Sequence, residues 1–124
     1  MPAKVVDASA LAAVLFGEKA GPSITGRLEE SLAMAPTLLR YEIASVCRKK
    51  IGRYPQQRKS LLEALALFGS LEIGEVEVPP AEATSLSEET GLTVYDASYL
   101  WLSRQLGAEL VTLDARLEAV ASGR

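Results

Sequence analysis

The sequence predicts an α/β domain built on a mostly parallel central sheet of about four strands, with helices on both faces. Short apolar runs alternate along the chain with longer helical patterns, which is typical of strands joined by crossover helices. The size fits this fold class, because 124 residues, of which 48% are hydrophobic, supply one compact core and not two. We therefore expect one domain over residues 1–124 and one functional site.

The first half of the chain predicts two strands and three helices. A short run containing two valines ends at Asp7, and an alanine- and leucine-rich stretch follows it at once. Ser23 and Thr37 stand where the second and third helices are expected to begin, as N-capping residues. The predicted elements are a strand at 4–6, helices at 8–16 and from 23, a strand at 34–36 and a helix at 38–53.

The second half predicts two more strands between helices. Residues 71–78 interleave apolar and acidic side chains, as a half-exposed strand at a sheet edge does. Thr93 can cap a helix in which Asp96 takes the third position, the place of the acid in a capping box. That helix is apolar almost all the way round, so we expect it in the core, with Tyr95 and Tyr99 buried. The predicted elements are helices at 56–68, 81–90 and 94–106, strands at 71–78 and 109–113, and a last helix from 114.

Composition excludes several classes of protein. The net charge of −3 and the pI of about 5.0 argue against a protein that binds duplexes through a basic surface. With no histidine and with Cys47 as the sole cysteine, the chain has no Cys/His zinc set, no catalytic triad and no internal disulfide. The sequence shows no secretory signal and no apolar run of membrane-spanning length, so we expect a cytoplasmic protein.

Charge is distributed unevenly along the chain. Residues 40–59 contain seven basic side chains and one acid, whereas residues 63–89 contain seven acids and no base. The strip at Arg48, Lys49, Lys50 and Arg53 can contact phosphates. It also matches the dipole at the end of a helix, and the sequence does not separate these two interpretations.

Four acids are expected to meet at the carboxyl edge of the sheet. Asp7 and Asp114 each end a strand and Asp96 begins a helix, and right-handed crossovers place such residues at one edge. Glu42 has apolar neighbours three and four residues away, on a helix stripe that faces inward. Each acid taken singly has a structural alternative, namely helix capping for the three aspartates and a satisfied helix glutamate for Glu42.

Taken together, the acids indicate a metal site. Carboxylates in one place repel one another unless a cation lies among them, and a ligand set of oxygen atoms alone selects Mg²⁺ or Mn²⁺. Ser9 and Thr112 are candidates to orient these groups through hydrogen bonds, with ordinary turn and strand hydroxyls as the alternative. Cys47 is expected to be a small buried residue without a catalytic role, and a tyrosine near the site could stack on a base.

Three segments carry a resemblance to a known family. VVDASAL, APTLLRYEIASV and TVYDASYLWLSRQLGAELVTLDARL closely resemble the PIN-domain ribonucleases, in particular the VapC-type toxins of bacterial and archaeal toxin–antitoxin pairs. The resemblance covers nearly the whole chain. The acidic quartet of that family maps onto Asp7, Glu42, Asp96 and Asp114, as metal ligands and catalytic residues, and Thr112 matches its T-x-D turn.

The resemblance implies a single PIN-like nuclease domain, Mg²⁺-dependent endoribonuclease activity, a homodimer and a small antitoxin that inserts a segment near the active site. Apolar faces available for self-association include the helical stripe Leu61, Leu62, Leu65 and Phe68. Many members of the family continue past the last helix into another short strand, whereas this sequence ends at Arg124.

Two other classes remain as alternatives. A phosphoacceptor signalling domain would need an acid pair after its first strand and a late lysine at a strand end; here Asp7 stands alone and no lysine follows Lys59. The third possibility is a catalytically idle PIN-like module that only binds partners, against which the intact quartet speaks.

Overall fold

The computed structural model describes residues 1–123. Four short segments of this range form one sheet of four strands. The strands are β1 (Ala3–Val6), β2 (Leu32–Pro36), β3 (Ile73–Val76) and β4 (Glu109–Val111). They lie in the order β3-β2-β1-β4, and every neighbouring pair is parallel. The predicted parallel sheet of about four strands is therefore confirmed, and β3 lies at an edge, as its half-exposed pattern indicated.

Seven α-helices surround this sheet within the described residues. They are α1 (Ala8–Leu15), α2 (Gly21–Leu28), α3 (Leu39–Arg53), α4 (Arg58–Ala66), α5 (Pro80–Thr90), α6 (Val94–Leu106) and α7 (Ala115–Ala121). Two short 3₁₀ turns, Pro55–Gln57 and Leu67–Ser70, flank α4. Helix α1 packs on α2 and α3, whereas α6 packs on β1 and β2 and contacts α5 and α7. None of these helices is long and apolar enough to cross a membrane.

Helix α6 is the centre of the packing, as its all-round apolar pattern predicted. Thr93 accepts a hydrogen bond from the backbone N–H of Asp96 at its start, and Gly107 ends it with a positive φ of 59°. Its middle turns are buried in one core together with side chains of β1 and β4. Because α6 packs across β1 and β2, its first turn lies at the carboxyl edge of the sheet.

Three details of the expected local structure were wrong. Ser23 lies inside α2 and does not cap it, because the helix begins at Gly21 with a proline in its first turn, where proline is well suited. Thr37 does not cap α3, because that helix begins at Leu39 with Leu38 at the N-cap position. Thr37 instead belongs to the end of β2, where its N–H donates to the Val76 carbonyl (3.0 Å) and continues the pairing with β3. Tyr95 is 63% exposed instead of buried, because the first turn of α6 projects beyond the core.

Helix α3 packs on α4 around the cysteine. Cys47 is 1% exposed, its thiol lies 3.6 Å from the Leu61 carbonyl, and burial raises the pKa of this thiol. Leu61 is buried, and Leu65 and Phe68 pack against the core. Most of the α4 stripe that was expected to be free for self-association is thus used inside the chain. The large apolar side chains left exposed on and just after α4 are Leu67 and Leu71.

Candidate active site

The register of β1 and β4 determines the first contact of the site. Val6 pairs with Val111, and the N–H of Asp7 donates to the Val111 carbonyl (3.2 Å), so Asp7 and Thr112 leave the two strands side by side. The Thr112 hydroxyl donates to Asp7 Oδ2 at 2.5 Å. A buried carboxylate is costly unless hydrogen bonds satisfy it, and this bond supplies part of that satisfaction.

The other oxygen of Asp7 is held by the start of α1. Oδ1 accepts from the backbone N–H of Ala10 (3.0 Å) and from the Ser9 hydroxyl (2.7 Å). Ser9 Oγ in turn accepts from the N–H of Leu113 (2.9 Å), which ties α1 to the segment after β4. Asp7 is only 4% exposed. It therefore caps α1 and is fixed at the sheet edge at the same time, so the capping and site interpretations do not exclude each other.

Thr112 also connects Asp7 to Asp114. Its Oγ1 accepts from the backbone N–H of Asp114 (3.0 Å) while its hydroxyl donates to Asp7. Asp114 caps α7 through Oδ1, which accepts from the N–H of Leu117 (2.9 Å). Its second carboxylate oxygen accepts no hydrogen bond from residues 1–123. The structure thus places both predicted hydroxyls, Ser9 and Thr112, directly on the acids.

Asp96 reaches the same edge from the start of α6. Only its backbone N–H takes part in capping, through Thr93. No described residue donates a hydrogen bond to its carboxylate, so the capping interpretation does not account for that group. Burial raises the pKa of Asp96, and the charges of Asp114 and Asp7 raise it further.

Glu42 lies in the first turn of α3 and is held by a residue of α6. The hydroxyl of Tyr99, which is almost completely buried, donates to Glu42 Oε1 at 2.5 Å. Burial raises the pKa of Glu42, with further contributions from Asp96 and Asp7, while the Tyr99 hydrogen bond opposes that rise. Burial and the neighbouring Glu42 also raise the pKa of Tyr99, so its phenol stays neutral and continues to donate.

The four acids interact electrostatically as one group. In every pair of these acids except Glu42 with Asp114, the charge of one acid raises the pKa of the other. The pKa of Asp7 is raised chiefly by burial. Such shifts in a cleft are typical of functional carboxylates. Among residues 1–123, however, no group of three or more Asp, Glu or Cys side chains is arranged to hold a metal ion.

The donor set nevertheless fits a hard divalent cation. Every available ligand atom is an oxygen, as Mg²⁺ and Mn²⁺ prefer. The carboxylate of Asp96 and one carboxylate oxygen each of Glu42 and Asp114 make no hydrogen bond with the described residues, so these atoms are free to bind an ion directly or through water. Asp7 keeps an acceptor position on Oδ2 beside the Thr112 bond.

Sequence reasoning missed two residues of this site. The prediction that Tyr99 is a core residue is confirmed for its ring, but the sequence does not indicate that its hydroxyl reaches Glu42. Arg116 was not considered; its guanidinium donates to the Gly91 carbonyl (2.7 Å) and lowers the pKa of Asp96. A signal for Arg116 was present, because a cation in the first turn of a helix opposes the helix dipole and therefore suggests another partner.

The chain also matches known proteins over almost its whole length. A sequence profile of the PIN domain matches residues 4–123. The chain belongs to the PIN domain family. Ribonuclease VapC3 of Pyrobaculum aerophilum is 30% identical over 118 residues, covering 91% of this chain and 90% of VapC3. Ribonuclease VapC12 of Mycobacterium tuberculosis is 27% identical over 113 residues, covering 91% of this chain and 88% of VapC12.

Two solved PIN-like structures agree with the fold. PAE2754 from Pyrobaculum aerophilum superimposes with a TM-score of 0.77 at 27% identity and covers 95% of this chain and 84% of its own. VapC20 of Mycobacterium tuberculosis, a toxin that cleaves the sarcin–ricin loop, gives a TM-score of 0.69 at 18% identity and covers 94% and 93%. The predicted resemblance to PIN-domain ribonucleases of the VapC type is thus confirmed at the level of family and fold.

The raised pKa of Asp96 predicts a pH-dependent effect of Asp96→Asn. The pKa of Asp96 in the folded state lies above the ordinary value of 3.8. Asp96 therefore contributes to the stability of the fold at pH values below 3.8, and this stabilising contribution is lost as the pH rises through the folded-state pKa. We expect Asp96→Asn to raise the metal-free melting temperature at about pH 7, and the gain to shrink toward zero as the pH falls to about 3.8. Thermal unfolding in EDTA across this range measures it.

The exposed acid Glu63 on α4 provides the matched control, because Glu63→Gln removes a charge far along the sequence from the cluster. A metal-free melting temperature that Asp96→Asn lowers at neutral pH, or a difference that does not change with pH, would contradict the repulsion among the acids.

Proposed function

We propose that this PIN-domain protein is a Mg²⁺-dependent endoribonuclease, the toxin of a toxin–antitoxin pair, which hydrolyses RNA phosphodiesters in the cytoplasm. The observation that carries the proposal is the group of four acids at one sheet edge, three of which keep carboxylate oxygens that accept no hydrogen bond from residues 1–123. The ribonuclease names of VapC3 and VapC12 support the choice of RNA as substrate.

Each acid has a role that follows from its surroundings. Asp7, Asp96 and Asp114 would hold the Mg²⁺, or Mn²⁺ in its place, with Asp7 fixed by Ser9 and Thr112. When bound, the ion supplies a water of lowered pKa and a countercharge for the developing phosphate charge. Glu42 either binds the ion or orients the attacking water through Oε2, since Tyr99 occupies Oε1.

The acidic character of the chain is compatible with an RNA substrate. A bound divalent cation reverses the local sign of the site, and exposed basic side chains lie further along α3. Arg48 and Lys49 form no ion pair within residues 1–123, whereas Lys50 pairs with Glu18 (3.1 Å). The unpaired members of the strip are therefore the candidates for phosphate contacts.

Asp114→Asn separates catalysis from helix capping. Asn keeps the side-chain oxygen that caps α7, so we expect cleavage to be lost while the metal-free melting temperature stays equal or rises. Mg²⁺ should stabilise the parent by about 2.7 kcal/mol at a hundred times its dissociation constant, and the variant much less. Cleavage of end-labelled structured and single-stranded RNAs, with Mg²⁺ and with EDTA, and thermal unfolding measure both effects.

Cys47→Ser is the control variant and should cleave like the parent, because the thiol lies outside this chemistry. Equal cleavage in EDTA would contradict the metal requirement. A folded parent that binds its partner but cuts no RNA with Mg²⁺ would be the idle binding module instead.

Tyr99→Phe tests whether Tyr99 positions Glu42. The substitution keeps the buried ring and removes the hydroxyl that lowers the pKa of Glu42. We expect a loss of roughly tenfold or more in kcat, within the range for a proton-transfer group, and an acidic limb of the pH–rate profile that moves to higher pH. The KM should change little. A uniform loss without a shift of that limb would assign Tyr99 a structural role alone.

We further propose that the chain forms a homodimer and binds a cognate antitoxin. Leu67 is 57% and Leu71 is 39% exposed, and both lie in the turn between α4 and β3. Exposed apolar patches of this kind mark association surfaces. The association surface that we propose therefore lies beside the apolar stripe of α4 that the sequence predicted, because most side chains of that stripe pack inward.

Light scattering at micromolar concentration should show a dimer that Leu67→Glu together with Leu71→Glu dissociates. Leu106→Glu, at an exposed leucine at the end of α6, should leave the dimer intact. A monomeric parent would contradict the dimer. Failure of a small protein encoded beside this chain to co-purify with it on co-expression would contradict the antitoxin.

A further inference from the structure

An open apolar pocket adjoins the acid cluster. Its volume is about 340 Å³, and it is lined by Leu38, Tyr41, Glu42, Ser45 and Tyr95. Glu42 belongs both to this pocket and to the group of acids described above. The pocket is therefore continuous with the place where the phosphodiester would be cut.

Two exposed tyrosines form its walls. Tyr41 is 74% exposed and Tyr95 is 63% exposed, although aromatic rings usually bury most of their surface. Each directly precedes a site acid in a helix, Tyr41 before Glu42 and Tyr95 before Asp96. Because consecutive helix residues point about 100° apart, each tyrosine projects beside its acid in a different direction, and both tyrosines line the pocket.

We propose that Tyr41 and Tyr95 form a subsite that holds one unpaired RNA base next to the scissile phosphate; this rests on the proposed ribonuclease function. Aromatic rings stack on bases of any sequence, and RNA is commonly recognised through bases splayed out of a helix. A neutral base tolerates the carboxylate of Glu42, whereas a phosphate would be repelled there. Ser45 and Leu38 complete the lining of the pocket.

The direction of the strand follows from helix α3. Tyr41, Ser45 and Arg48 are spaced four and three residues apart and therefore lie along one face of the helix. Arg48 is exposed and forms no ion pair within residues 1–123. A strand that places a base between the tyrosines can thus carry its next phosphate toward Arg48.

A peptide segment of the partner is the competing occupant. An apolar peptide side chain gains most from a closed, dry pocket, whereas this one is open and its two tyrosine walls are largely exposed. Its continuity with the acids also favours the substrate, because the base is attached to the phosphate that those acids would act on.

The test compares a fluorescein-labelled oligoadenylate with an abasic ribose-phosphate oligomer of the same length, by anisotropy with Ca²⁺ in place of Mg²⁺ to prevent cleavage. We expect the full chain to bind the oligoadenylate about 5- to 150-fold more tightly than the abasic oligomer, the range for stacking one base. Tyr41→Ala and Tyr95→Ala should remove most of this difference without changing the abasic affinity. Tyr41→Phe and Tyr95→Phe should retain it.

Tyr54→Ala is the matched control, since Tyr54 is an exposed tyrosine at the end of α3, outside the pocket. Equal affinities of the parent for both oligomers, or alanine variants that bind both like the parent, would overturn the subsite. Alanine variants that bind RNA normally but no longer bind the co-expressed partner would assign the pocket to the peptide instead.

A separate measurement of cleavage with Mg²⁺ distinguishes this inference from the proposed function. Base-dependent binding without any cleavage would support the subsite and contradict the proposed nuclease activity. If both alanine variants cleave RNA as fast as the parent and bind the oligoadenylate with unchanged affinity, the nuclease proposal is supported and the subsite is contradicted.

Discussion

The parallel pairing of β1 with β4 is the constraint on which the site depends. It sets Val6 beside Val111, so that the next residue of each strand, Asp7 and Thr112, can form a hydrogen bond. A slip of one residue would turn Asp7 to the opposite face of the sheet and leave a buried carboxylate without its hydroxyl. Stability and site geometry therefore select the same register, because the bond that makes the buried Asp7 tolerable also orients it.

Helix α6 couples the core to the chemistry in a similar way. One end carries Asp96 at the sheet edge, and one turn further in, the buried ring of Tyr99 directs a hydroxyl onto Glu42 of α3. The acids raise one another's pKa, so the arrangement that suits a cation costs stability without one. Natural enzymes commonly accept such a cost at functional sites. The core packing of α6 supplies part of what offsets it.

The sequence predicted what depends on local pattern and on sheet geometry. Strand-end acids meet in a parallel sheet whatever their spacing, so the common location of Asp7, Asp96 and Asp114 followed from topology. The contact of Tyr99 with Glu42 joins residues 57 positions apart, and no periodicity signals such a pair. Capping by Thr37 failed for a related reason, since strand pairing with Val76 extends β2 through Thr37 and α3 begins two residues later, at Leu39. The exposure of Tyr95 depends on where α6 leaves the core, which a helix pattern does not specify.

The burial of Cys47 also has a consequence for the conditions under which the molecule can work. The thiolate is the form of cysteine that attacks peroxides and disulfides, and here burial raises the pKa of the sole thiol and shields it between α3 and α4. No sulfur atom or imidazole takes part in the acid cluster. Oxidation of cysteine therefore has no direct route to the acid cluster, because the one thiol is buried and lies outside that cluster.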